Sequence, residues 1–324
     1  DLTGATSLTS TTFEDPVAAD SMYHYRVYAE VNSYTSDPSN TDSGESDVPP
    51  PNGIYWVSDT GDDANNGGRL DPFASIYQAV STAQAGEEIR IASSSSPYYV
   101  TQSSIGVNEN LKISGGWDPA TDSQNGAPND TVVEHTGATG SSGIFNISGG
   151  TLQINNVLLR SDDVITDYQN VIFAGGGHFD GSNLVVQTGY GSAQHTQAFH
   201  VQYGSNVTLT DSVINVAKSS VTGSAKAFGT GSLNGSIEVT NVTFRSSATN
   251  VTDLVFVFTY GGNGSISMYD STFEAASPSG KYQVLSVEDS YGLLSGVTIQ
   301  NNEINPAGTA TSGTSSSYGV IEFT

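Results

Sequence analysis

Asp59, Asp62 and Asp63 stand close together in the stretch DTGDDANNGG. Short-spaced carboxylates beside Gly and Asn are oxygen ligands of the kind that wrap calcium, although the run lacks the EF-hand ligand order. The competing reading is a turn-rich loop. His178, Asp180, His195 and His200 form a second group, within 23 positions. Two of those residue types bind transition metals, but the spacing fits no zinc pattern, and His200 reads better as an outward residue of the segment AFHVQ. Arg245 and Glu274 occupy equivalent places in neighbouring repeats and could pair as ions.

The composition narrows the partners. The 324 residues include no Cys, 36 Gly and 9 basic against 33 acidic side chains, for a formal net charge of -24. Such a surface repels nucleic acid and anionic lipid at long range, so neither is expected as a partner. It suits an extracellular or cell-surface protein that stays soluble in salt, or one that recruits cations. Without Cys there is no disulfide scaffold and no thiol chemistry. No apolar run is long enough for a membrane helix, so no membrane insertion is expected.

The elements that must position any site come from a repeat. One turn residue recurs at Asn156, Asn183, Asp211, Asn241, Asp270 and Gly296, with gaps of 27, 28, 30, 29 and 26 residues. Asn, Asp and Gly tolerate the left-handed backbone of a sharp bend. Four and two positions before each anchor, and one and three after it, apolar residues fill 20 of 24 places. Two short strands meeting at a bend would put those four positions inside. A third strand supplies the column Phe145, Ile172, Phe199, Phe228, Phe256, Leu285 and Ile321. Three strands per repeat, each stacked on its copy about 4.8 Å away, predict an all-β fold, a right-handed parallel β-helix. Each coil buries roughly six apolar side chains at about 1.5 to 3 kcal/mol apiece before chain entropy, so a single coil fails where a stack succeeds.

Three parts precede and carry this repeat. Residues 1–44 include YHYRVYAEV, alternating apolar and polar, then SNT; the segment resembles the last strands of a fibronectin type III domain, which makes it a partial β-sandwich. Residues 45–53 form an acidic, Pro-rich linker. Residues 54–324 form the β-helix: an opening module over 54–117, an inserted loop over 118–140 and regular coils over 141–324. Within the module, Asp71 is placed to cap a helix that begins at Pro72, buries Phe73, Ile76, Ala79, Val80 and Ala83, and stops at Gly86. The module's YWVSDTGDD and PFASIYQA resemble the start of bacterial parallel β-helix proteins of the pectin-lyase-like type, a group that includes polysaccharide lyases and surface proteins.

Enzymes of that type imply an Arg or Lys base with calcium-binding carboxylates, or paired Asp with G-H-G and R-x-K. GGGHFDG is the nearest approach to G-H-G and does not match it, and no R-x-K occurs. No catalytic residue is assigned and no organic cofactor is expected, calcium being the one ion the aspartate loop could hold. The chain opens at Asp1 without an initiator Met, as a trimmed piece would. VIEFT, at 320–324, reads as a strand left at an open coil end. The expected function is a non-enzymatic structural or adhesive surface protein, self-associating or pairing with neighbouring strands, including as a filament subunit. The alternative is a β-helix that binds or degrades polysaccharide.

Overall fold

A computed structural model describes residues 53–101, 103–136, 143–161, 168–188, 195–216, 224–246, 253–260, 262–276, 281–287 and 294–307, together with the backbone of four short strands near the start. Of those four, Met22–Tyr25 pairs antiparallel with Asp42–Glu45, and Glu30–Val31 with Tyr34–Thr35. The rest is a parallel β-solenoid of three sheets.

Sheet 1 runs through Ile54–Val57, Glu88–Ala92, Leu111–Asp118, Thr151–Asn155, His178–Ser182, Asn206–Thr210, Ser236–Thr240, Ser265–Tyr269 and Gly296–Gln300. Sheet 2 has 8 strands, from Tyr98–Val100 to Glu303–Ala307, and sheet 3 has 7, from Ile105–Val107 to Lys281–Val287. The coils therefore begin inside the opening module. Val132–His135, within the segment read as an inserted loop, is a strand of sheet 2 between Tyr98–Val100 and Leu158–Ser161.

The bend between sheets 1 and 2 is made by left-handed residues. φ is 57° at Asn156, 50° at Asn183, 49° at Asp211, 54° at Asn241, 50° at Asp270 and 57° at Asn301. Gly296 does not belong to this column. It opens a strand opposite Ser265, and the residue that follows Gln300, itself opposite Tyr269, is Asn301. The last interval is therefore 31 residues, and Val297 and Ile299 are the side chains in register with Ile266 and Met268.

Polar bonds run the length of the bend. The backbone N–H of Asn241 donates to Tyr269 O at 3.1 Å, and its side-chain amide donates to Asp211 Oδ1 at 2.6 Å. Asn183 Nδ2 donates likewise to Asn156 Oδ1 at 2.8 Å. Two exceptions to the apolar pattern serve this bend. Ser212 Oγ accepts the N–H of Leu184 at 3.0 Å, and Ser271 Oγ accepts that of Val242 at 3.2 Å, so buried amides that the strands leave open are satisfied.

Aromatic rings fill the interior. Phe199 stacks on Phe228 at 5.0 Å, and Phe244 on Phe273 at 4.7 Å with parallel planes. In sheet 3 the register joins Phe145, Ile172, Phe199, Phe228, Val257 and Leu285, so Phe256 is displaced by one place from the column expected for it. The cause is a pair of consecutive buried positions in each of these strands. Ala198 and Phe199, Ala227 and Phe228, and Phe256 and Val257 all point inward. The large residue can take either place of the buried pair. Ile321 lies outside the described residues.

The helix Ile76–Thr82 closes the first coil with Ile76, Ala79 and Val80 buried against it. It starts later than expected. Ser75, not Asp71, is the cap, its side chain accepting from Gln78 N. Phe73 lies in extended chain bridged to Val57, its ring stacked on Tyr55 at 6.0 Å.

Candidate functional site

The aspartates of the DTGDD loop diverge. Asp63 Oδ1 accepts the N–H groups of Ala74 and Ser75 at 3.0 and 2.8 Å, fixing the approach to the helix. Asp62 closes a turn onto Ala64 N, and Asp59 accepts from Ser94 Oγ at 2.7 Å. Among the described residues no group of three or more His, Asp or Glu side chains could hold a metal. Asp62 and Asp63 therefore serve nearby backbone N–H groups and Asp59 a serine hydroxyl, and the three do not form one converging set.

The histidine group is separated as well. His178 lies on sheet 1, where its Nδ1 accepts the N–H of Asn206 at 3.1 Å. His200 lies on sheet 3 beside Phe173, ring centroids 5.1 Å apart, with Gln197 and Gln202 at its two nitrogens. The side chain of His195 is outside the described residues. Burial first, and the Lys226 charge second, lower the pKa of His200 to about 4.

That shift carries a stability prediction. The unfolded chain takes up this proton near pH 6.5 and the native one only near 4, so stability is full above pH 6.5 and is lost as pH falls toward 4. The loss attributable to His200 is up to about 3 kcal/mol. Urea unfolding at a series of pH values should show it for the wild type, and His200→Gln should flatten the profile across that window.

The outward column of sheet 2 places Glu134, Arg160, Gln187, Asn215, Arg245 and Glu274 in register. Asn305 follows Glu274. Arg245 Nε and Glu274 Oε2 are 2.7 Å apart on an exposed face, and Arg160 pairs with the nearly buried Glu134. The first pair is worth about 0 to 1 kcal/mol and leaves no charge for a ligand.

A different place on the surface is concave. The strand Leu111–Asp118 turns back on itself, and Ser123–Gln124 pairs antiparallel with Trp117 and Asp118. This hairpin rises over the outer face of sheet 1. Arg90 pins it: one guanidinium nitrogen lies 2.6 Å from Asp122 Oδ1, and the planar group lies 3.9 Å from the centre of the Trp117 ring. Gly115 and Gly116 permit the close approach of the bend. A Cβ on Gly116, whose φ is 77°, would meet Asn156 Nδ2 at 2.3 Å. In their place Asn156 Nδ2 donates to Gly115 O and Gly126 O.

Between hairpin and sheet lies a groove of about 360 Å³ lined by Glu88, Lys112, Ser114, Trp117, Gln124, Gln153, Ile154, Asn155, Asp180 and Ser182. Its charges are unevenly partnered. Glu88 Oε1 accepts from Ser114 Oγ at 2.9 Å and lies 3.4 Å from Lys112 Nζ and 3.6 Å from Arg90 Nε. Among the described residues Asp180 meets the neutral amide of Gln153, at 3.3 Å, and forms no ion pair. The remaining amides form a relay, Gln124 Nε2 to Asn155 Oδ1 at 3.1 Å and Asn155 Nδ2 to Ser182 Oγ at 2.9 Å. The Trp117 N–H is taken by the buried Ser114 Oγ at 2.8 Å, so the amides of Gln124, Gln153 and Asn155, the Ser182 hydroxyl and the Asp180 carboxylate make the surface that can bind hydroxyl-rich molecules by hydrogen bonding along successive rungs, beside the indole ring.

Of this lining, the sequence alone singles out Asp180, there as a metal candidate. The available signal was the pair Gly115–Gly116 before Trp117, followed by the turn-rich DPATDS. No family, curated protein or solved structure matches the chain.

Proposed function

We propose that this protein is a non-enzymatic adhesive solenoid of the extracellular surface, and that the groove beside Trp117 holds a polysaccharide chain. The observation that carries the reading is the amide and hydroxyl shelf of Gln124, Gln153, Asn155 and Ser182, spread over adjacent strands beside an indole. Sugars present hydroxyl pairs and apolar ring faces, and such a shelf offers donors, acceptors and an aromatic side chain to both. The likeness of its opening module to pectin-lyase-like surface proteins, and of residues 1–44 to fibronectin type III strands, belongs to the same reading.

Electrophoresis through gels containing soluble polysaccharides tests it. Retardation by at least one polysaccharide is expected, with Gln153→Ala/Asn155→Ala abolishing it and no rise in ultraviolet absorbance on incubation with that polysaccharide and calcium. Absorbance that rises would establish a lyase instead, and free migration in every gel would remove glycan binding. Filament formation by strand addition is the further step of this reading, and electron micrographs showing only dispersed monomers would sink it.

A further inference from the structure

We infer that the groove selects a saccharide chain carrying protonated amino groups, with Asp180 as the counter-charge; this rests on the glycan-binding reading above. Two carboxylates line the groove, and they differ. Glu88 lies within 3.6 Å of both Lys112 Nζ and Arg90 Nε, so it is neutralised where it stands. Asp180 is exposed and accepts from the Gln153 amide, a neutral donor, at 3.3 Å. No cation among the described residues forms an ion pair with it.

Position reinforces this asymmetry. Asp180 stands opposite Gln153 on one side and Thr208 on the other, and Glu238 stands next beyond Thr208. Beyond Lys112 this outward column of sheet 1 therefore carries two carboxylates and no basic residue, reading Gln153, Asp180, Thr208, Glu238, Ser267 and Thr298. A formal charge of -24 surrounds it with a field that attracts cations and repels polyanions. A polyuronate would lay its carboxylates beside Asp180, whereas a sugar ammonium there would form charge-assisted hydrogen bonds, which are stronger than neutral ones. Acetylating the amine removes that charge and leaves the hydroxyl contacts with the shelf.

Titration calorimetry on the full chain at low salt, in slightly acidic buffer, tests the selection with three short oligosaccharides: glucosamine, N-acetylglucosamine and galacturonate. Glucosamine oligomers are expected to bind up to about fivefold more tightly than their acetylated counterparts. Asp180→Asn should erase that difference and leave the acetylated chain's affinity unchanged. Glu274→Gln, which removes an equal charge from the outer face of sheet 2, should preserve the difference and so exclude general attraction to an acidic protein.

Equal binding of the two glucosamine forms, tighter binding of galacturonate, or an Asp180→Asn variant that keeps the preference would overturn the selection while glycan binding stood. If none of the three binds and the gels show no retardation, glycan binding falls and the selection falls with it.

Discussion

Replacing Phe244 with alanine is expected to cost about 3 to 5 kcal/mol, the range for deleting a buried ring whose surroundings relax only partly. Few side chains here are better placed to show it. Phe244 is fully buried, lies parallel to Phe273 at 4.7 Å, and meets Phe256 and Phe228 at 5.5 and 6.2 Å. Three coils thus lose contacts at once. Thr243→Ala, one residue away on the outward side, should stay within about 0.5 kcal/mol. Unfolding followed by circular dichroism compares the two, and equal midpoints would mean that the ring stack does not hold these coils together.

The second large effect lies on the bend. Asn241 sits between Asp211 and Asp270, so Asn241→Asp sets three carboxylates on successive rungs and replaces the donor that Asp211 accepts at 2.6 Å. Like charges about 4.8 Å apart cost about 1 kcal/mol each in water-like surroundings, and losing a hydrogen bond to a charged group adds about 1.5 to 3 kcal/mol. With two such pairs the total is about 3.5 to 5 kcal/mol at neutral pH. Crowding raises the native carboxyl pKa above its unfolded value, so the native state holds more protons and the repulsive part of the deficit vanishes as pH falls. Thermal melts should bring variant and wild type closer together in mild acid than at neutral pH. A gap that does not change with pH would sink the electrostatic account.

These two residues also show how much could be read from residue types alone. Phe244 belongs to a column in which apolar residues flank a turn residue at fixed offsets, and those offsets reflect the side-chain alternation of strands meeting at a bend. The pattern misled where two answers satisfied it equally. Leu294, Val297 and Ile299 fit inward offsets around Gly296, but the strand that pairs with Ser265–Tyr269 places the turn at Asn301. Phe256 and Val257 are both apolar and adjacent, and only the register tells which continues from Phe228.

The groove was hidden for a different reason. It depends on a hairpin folding over a sheet and on Arg90 reaching Asp122 across 32 residues, and neither leaves a periodic trace. The helix start was misplaced because Asp71-Pro72 has the pattern of a cap. Pairing of Phe73 with Val57 holds that stretch extended until Ser75.

The bend's hydrogen bonds bear on how such a chain ages. Asparagine deamidates when the next backbone nitrogen attacks its side-chain carbonyl carbon, and the product carries the same added charge as Asn241→Asp. After Asn241 that nitrogen belongs to Val242, which donates to Ser271 Oγ, and after Asn183 it belongs to Leu184, which donates to Ser212 Oγ. The nucleophile is engaged and the amide it would attack is held by the preceding rung. The serines that interrupt the apolar pattern thus also protect the chain chemically, guarding Asn183 and Asn241 from slow conversion into aspartate.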